Sequence, residues 1–322
     1  MTEYLHALYG EHSQRVEFVN FLDPEYLDVF QERQHAPVEA VPTPFRTWNE
    51  QCGFDGGQEG LARGWFIVVG GNPKMGKTIL SLNMVAEAIH HEERVGFMSL
   101  EMSDPELASR FYAMISNSSP YKLQRGKKFD DNAIVRAREA IARLSRVEQN
   151  PALWVTAEPM FDLGTVLHKM QILREQEGVR YFIIDYLQLV SMGDDDAAVK
   201  TVTIACKEFR KFAKTTGSVV VCLSQFKRTV SEDYTRSPMP QGLFGGGAVE
   251  QTADQIILLD HSLVDYDAVK KRSKTWLKLT NRHGQGGDIP VLWDYTNLTA
   301  REAQPDEEDA WPTRDKGRRR GR

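Results

Sequence analysis

The residues with the clearest chemical purpose lie in WFIVVGGNPKMGKTILSLNMVAEAI, residues 65–89. Gly71, Gly76, Lys77 and Thr78 fit the spacing G-x-x-x-x-G-K-[ST], with Asn72, Pro73, Lys74 and Met75 between the glycines. A hydrophobic run enters the glycine turn, and a helical apolar pattern leaves it. The glycines let backbone N–H groups close around phosphate oxygens, and the helix N-terminus adds positive potential. Lys77 would neutralise β- and γ-phosphates, and Thr78 would hold Mg²⁺. Residues 71–78 therefore read as a nucleotide clamp.

A clamp alone does not hydrolyse anything. Hydrolysis also needs a metal carboxylate and a group that orients water. Asp185 ends the run YFIID, and a carboxylate at the C-terminal end of a buried strand faces the ligand crevice of an open sheet. Glu101 follows another apolar run in GFMSLEMSDPE, and it is the candidate general base on the attacking water. Ser103 and Glu106 have the spacing of a capping box for the next helix, which gives Glu106 a structural task and leaves Glu101 without one. Gln225 ends SVVVCLSQ and could hydrogen-bond the γ-phosphate or the water, reporting its loss.

These residues need strands and helices to hold them. From residue 45 short apolar runs alternate with helical stretches: WFIVV, RVGFMSL, LWVT, YFIID, SVVVCLS and QIILLD. That alternation predicts an α/β domain over 45–302, a mostly parallel twisted sheet flanked by helices. TWLKL and IPVLWDY, separated by NRHGQGG, predict a hairpin at one edge. Residues 1–35 predict a short N-terminal helical extension, with Asp23 and Pro24 placed to start a helix. Its apolar stripe would dock either on a neighbouring subunit or back on its own domain. Residues 36–44 hold three prolines and read as an extended, poorly packed linker. The tail, 303–322, is acidic and then basic, with the composition of a disordered segment.

The 322 residues suffice for one large domain with extensions, at 41 % hydrophobic and 26 % charged residues, ordinary for a soluble chain. A formal charge of −5 gives no global basic field, so nucleic-acid contact must be local. Cys52, Cys206 and Cys222 are scattered without metal or redox spacing and are expected to be inert. No apolar run reaches the ~18 residues of a membrane span. The N-terminus lacks the order of a signal peptide, so the expected location is the cytoplasm.

Several pieces in order are more telling than the clamp. Pro73 and Met75–Thr78, SLEMS (99–103), IDYLQL (184–189), LSQ (223–225) and GAVEQTAD (247–254) together resemble the C-terminal motor domain of DnaB-type replicative helicases, in a minimal phage- or plasmid-like form. The resemblance covers roughly residues 40–300. It implies a RecA-like P-loop NTPase core that hydrolyses ATP with Mg²⁺. It also implies a ring, usually hexameric, moving on single-stranded DNA, with a loader or primase supplied in trans. Roles carry over as Lys77 and Thr78 to phosphate and Mg²⁺, Asp185 to the metal, Glu101 to water and Gln225 to sensing. The family's K-x-R-x-G stretch, which reaches a neighbour's γ-phosphate, falls on Thr280–Gly284, so Arg282 matches the arginine finger. Its partner lysine is absent at Thr280, and Lys278 is the candidate substitute.

The expectation for DNA is thinner. Residues 228–251 form a long Gly- and Pro-rich loop that the resemblance places in the pore. Arg228, Phe244 and Gly245–Gly247 are its candidate DNA contacts, although the family's usual arginine is replaced by Phe244. Phe244 is equally readable as a packing residue. A second pore loop carries Asp194, Asp195 and Asp196, which would repel a phosphate backbone, with Lys200 opposing them. The basic tail could add salt-sensitive nucleic-acid affinity. Two alternatives remain open from the residues: a RecA-like DNA-binding ATPase in recombination or repair without unwinding, or a nucleotide-switched assembly protein.

Overall fold

A computed structural model describes residues 39–52, 59–123, 130–144, 153–157, 162–185, 187–189, 197–227, 237–267 and 272–304. They belong to one compact unit, residues 39–322. The N-terminal helix expected over 1–35, Arg228, the Asp194–Asp196 run and tail residues 305–322 lie outside the described residues.

The strands are β1 (Ala40–Val41), β2 (Leu61–Ala62), β3 (Phe66–Gly71), β4 (Val95–Ser99), β5 (Leu153–Ala157), β6 (Tyr181–Asp185), β7 (Val219–Gln225), β8 (Gln255–Asp267), β9 (Arg272–Asn281), β10 (Gly287–Asp294) and β11 (Thr299–Glu302). The α-helices are α1 (Arg46–Cys52), α2 (Lys77–His90), α3 (Asp104–Ile115), α4 (Asp131–Leu144), α5 (Leu163–Gln176), α6 (Ala197–Thr216) and α7 (Gly246–Thr252). Nine strands make one sheet in the order β11-β10-β9-β8-β3-β7-β6-β4-β5. From β5 to β8 every neighbouring pair is parallel; β8 to β11 continue antiparallel, with the expected β9–β10 hairpin.

Alternation along each parallel strand sends successive side chains to opposite faces and so builds two cores. Ile67, Val69, Phe97, Ile183 and Val221 pack against α2 and α3 through Leu80, Val85, Leu107 and Phe111. Phe66, Val68, Met98, Phe182, Ile184 and Val220 pack on the other side against Val166 and Met170 of α5 and Phe209 and Phe212 of α6. Cys206 and Cys222 sit buried in this second core, and burial pushes both thiols up, Cys206 to about 12. Neither is a reactive thiolate, as the sequence suggested.

Part of the Pro-rich stretch differs from the expected loose linker. Val41 is fully buried and Thr43 nearly so, and Ala40–Val41 pair with Leu61–Ala62. The extended conformation forced by the prolines puts Val41, Thr43 and Phe45 on one buried side, where Val41 and Phe45 join the first core. Thr43 N and Oγ1 both donate to Asn49 Oδ1 at 2.7 Å, fixing the entry to α1.

Candidate functional site

Four parallel strands, β3, β4, β6 and β7, deliver their C-terminal ends to one edge of the sheet. β3, the middle strand of the nine, carries the clamp. β3 stops at Gly71, the loop turns, and α2 starts at Lys77 with Gly76 as its N-cap in the left-handed region at φ 95°. A Cβ at Gly76 would also lie 3.0 Å from the Trp293 ring, a tight contact that adds to the strain of the left-handed backbone. Lys74 adopts φ 64°, a conformation uncommon outside glycine and found at functional turns.

Lys77 is buried, and its Nζ donates to the carbonyls of Gly71 and Asn72, both at 2.9 Å. The ammonium therefore lies across the loop it serves. Burial pulls its pKa down to about 8, against the opposing pull of Asp185 and Glu101. Thr78 Oγ1 donates to Asp185 Oδ2 at 2.9 Å. Asp185 is 2 % exposed, and burial raises its carboxyl to about 6 despite the Thr78 bond.

The β4–β6 register brings in the next acid. Ser99 pairs with Asp185, and Leu100 N donates to Asp185 O at 2.7 Å. Glu101 is the following residue; it is exposed, and its charge is felt by both Lys77 and Asp185. On the other side Gln225 pairs with Gly71 across β3–β7. The structure thus brings together Lys77, Thr78, Asp185, Glu101 and Gln225. Gln188 adds a link that the sequence reading passed over: its Nε2 donates to Ser224 Oγ at 2.9 Å and to Gln225 O at 3.4 Å. A polar residue inside the apolar run YLQL was the available signal.

The expected capping box does not form. Ser103 holds the N-cap position of α3 without a side-chain cap bond. Glu106 pairs instead with Arg110 at 2.9 Å, one helical turn on, where a guanidinium outcompetes a backbone N–H for the carboxylate.

Arg282 is not with the others. The β8–β9 register pairs Gln255 with Asn281, and Gln255 pairs with Ile67 near the start of β3. Arg282, one residue beyond Asn281, is therefore displaced from the Gly71 end by about 17 Å along the strands, at ~3.3 Å per residue, and by two strands sideways. It is exposed, and its guanidinium donates to the carbonyl of Gln251. Lys278 Nζ meets Pro238 O at 3.3 Å, four residues from Arg282 along the chain.

The Gly-rich segment runs beside the end of β7, where Phe244 N donates to Gln225 O at 2.9 Å. Phe244 is half-buried against the second core. Gly245 is left-handed at φ 70°, and a Cβ there would meet Val202 at 2.5 Å. Gly245 and Gly246 are buried, and Gly247 is exposed with open space before it.

The hydroxyl of half-buried Thr78 and the buried carboxylate of Asp185, 2.9 Å apart beside the buried Lys77 cation, fit a Mg²⁺–phosphate pair. Among the described residues no group of three or more His, Cys, Asp or Glu could hold a metal by itself. No helix among the described residues is long and apolar enough to cross a membrane.

Residues 50–300 match the family model of the DnaB-like helicase C-terminal domain. A probable plasmid replicative DNA helicase of Chlamydia trachomatis is 28 % identical over 259 residues, 79 % of this chain and 53 % of that protein. The replicative DNA helicase DnaB of Geobacillus stearothermophilus is 25 % identical over 278 residues, 84 % of this chain and 58 % of that protein. The chain thus spans about half the length of the curated relatives it matches. A solved ATPase domain superposes with a TM-score of 0.72 at 21 % identity, covering 89 % of this chain and all of that one. A DnaB-like replicative helicase, solved together with its interactions with primase, gives 0.71 at 22 % identity, covering 88 % and 68 %. The fold is the RecA-like ATPase fold.

Proposed function

Since the chain belongs to the DnaB-like helicase C-terminal domain family, we propose that it is the ATP-hydrolysing motor of a replicative DNA helicase that moves along single-stranded DNA. The observation that carries this reading is the convergence of Lys77, Thr78–Asp185 and Glu101 at one sheet edge. A phosphate clamp, a metal pair and a water-facing acid together make a hydrolytic site, beyond a binding site alone.

In this reading Gly71–Thr78 hold the ATP phosphates, and Lys77 exchanges its two loop carbonyls for phosphate oxygens. Thr78 and Asp185 hold Mg²⁺, which when bound neutralises charge on the β- and γ-phosphates. Glu101 takes the proton of the attacking water, and Gln225 contacts the γ-phosphate or that water. Arg282 stands too far from its own clamp and serves a neighbouring subunit, which makes the working unit a ring, with six subunits the expected size. DNA runs along Arg228 and Phe244–Gly247, with the 303–322 tail as an accessory, and a loader or primase is supplied in trans. The protein works in the cytoplasm, of a host if it is phage-encoded.

One observation favours a second reading. Gly245 and Gly246 are buried, and Phe244 packs on the core, so only Gly247 offers an open backbone to DNA. A DNA-binding ATPase that does not unwind, or a nucleotide-switched assembly protein, needs less of a pore loop. Steady-state ATP hydrolysis with and without a long single-stranded oligonucleotide, at low and moderate salt, separates these. The motor reading expects a large, salt-sensitive stimulation that Lys77→Ala abolishes. Hydrolysis that is lost in Lys77→Ala yet indifferent to DNA would sink it in favour of the assembly protein. Stimulation without strand separation in an unwinding assay would favour the DNA-binding ATPase.

A further inference from the structure

We propose that Asp254 and His283 are positioning residues for Arg282, fixing where its guanidinium stands on the subunit surface; this rests on the reading of Arg282 as a finger in trans. Asp254 is 1 % exposed, just ahead of β8. Its Oδ2 accepts Phe66 N at 3.0 Å, and its Oδ1 accepts Arg210 Nη2 at 3.2 Å. The same Oδ1 lies 3.3 Å from His283 Nε2, and the Asp254 carbonyl accepts Arg282 N at 3.0 Å. The His283 ring stacks on Trp65 with centroids 5.7 Å apart, and His283 N donates to Asn281 Oδ1 at 3.1 Å. Arg282 is thus bonded at its own N–H, and its successor is held by backbone, ring edge and ring face.

A turn joining two antiparallel strands needs none of this, because the ladder already fixes its ends. Burying a carboxylate has a desolvation cost that only full pairing offsets. Here the pairing ties the Arg282 turn to the first residue of β3 and to α6. The guanidinium itself is left with a neutral carbonyl, that of Gln251, and no ion pair of Arg282 occurs among the described residues. A rigid backbone under an exposed cation that has no ion pair among the described residues is the arrangement that presents charge to an anion on another molecule without a large ordering cost. Asp254 sets the anchor, and His283 transmits it to the turn.

The test is steady-state ATP hydrolysis by full-length His283→Ala, His283→Gln and Asp254→Asn, with melting curves for each. His283 is partly exposed, so His283→Ala keeps its fold. We expect kcat to fall about tenfold with KM for ATP nearly unchanged, as for a misaimed group, and His283→Gln, which can still donate to Asp254, to recover most of it. Coexpression with Lys77→Ala chains then asks where the defect lies. An intact clamp beside an intact finger arises only between unlike subunits, so hydrolysis should reappear in mixed assemblies. Unchanged kcat in His283→Ala, or a defect that mixing does not relieve while the Arg282→Ala and Lys77→Ala mixture is relieved, overturns the inference. If Arg282→Ala itself hydrolyses normally, or its mixture is silent, the trans finger fails instead. Asp254→Asn, where it folds, is expected to show the same fall in kcat and the same rescue by mixing.

Discussion

Lys77 carries a cost in the nucleotide-free fold that can be measured directly. Replacing it with Met removes a buried cation and keeps an unbranched apolar stem in the same channel. Burial takes Lys77 from its ordinary 10.5 to about 8, which corresponds to about 3 kcal/mol of folding stability forgone. The bonds to Gly71 O and Asn72 O are lost with it, at ~1 kcal/mol each, so the expected net gain is roughly 1 kcal/mol. At ~2–4 °C per kcal/mol for a chain of this size, the melting midpoint should rise by roughly 2–4 °C. Because the folded pKa lies below the unfolded one, the cost is fully present below about pH 8. It fades as pH rises toward 10.5, where both states are neutral, so the advantage of Lys77→Met should shrink over that window. The assay is thermal unfolding in a metal chelator from pH 7 to 10, repeated at neutral pH with MgADP. The wild type should gain stability from MgADP and the variant should not. A variant that melts below the wild type without nucleotide, or that keeps its advantage at pH 10, would refute the account of Lys77 as a strained, desolvated charge.

Glu101→Gln should lower kcat for ATP by about 10²–10⁴-fold while fluorescent-ADP affinity stays close to wild type, because the group acts on water and not on binding. In chelator, Asp185→Asn should stabilise the fold at neutral pH, since burial raises this carboxyl to about 6. That gain should vanish as pH falls from 6 toward 4, where the native acid is protonated too, and the variant should lose Mg²⁺-dependent ADP binding; a pH-independent gain in melting curves would be the contrary result. Gly76→Ala meets both φ 95° and the Trp293 ring at 3.0 Å. It should cost about 1–3 kcal/mol in denaturant unfolding and abolish nucleotide binding, and a variant that binds normally would count against the tight packing of loop on ring.

The parts legible in the sequence were those governed by local rules. A strand running into Gly-x4-Gly-Lys-Thr declares its turn, and YFIID declares a carboxylate at a strand end. Their meeting at one edge followed from parallel order alone, and the Thr78–Asp185 bond is its result. Ser103 and Glu106 show where local rules give way: the spacing of a capping box was present, and Arg110 four residues on took the acid. Asp254 lies within GAVEQTAD with no local sign of its task, because its partners Phe66, Arg210 and His283 are 188, 44 and 29 residues away in the chain. Nothing in composition or periodicity joins such positions. Trp293 was likewise read only as part of an edge hairpin, whereas its ring closes the space over Gly76.

That last contact bears on how the proposed ring would work. β10 lays Trp293 against the chain's own clamp, and its partner β9 ends at Asn281, one residue before Arg282. Trp293 pairs with Ser273, and Arg282 lies nine residues further on, about 30 Å at ~3.3 Å per residue. β9 is paired without interruption to β10 from Arg272 to Leu279, whereas its pairing with β8 shifts register between Asp260 and Asp265, so the β9–β10 ladder carries the continuity over that length. A single hairpin therefore spans from the phosphate loop of one subunit to the cation proposed to serve the next. When phosphate binding reshapes residues 72–77, the ring of Trp293 must either hold them or give way with them. If it gives way, the displacement reaches Arg282 through strands, with no mobile loop between. Asp254 and His283 resist that displacement at the far end, so the Arg282 turn sits between two constraints, one answering to its own nucleotide and one to the fixed core.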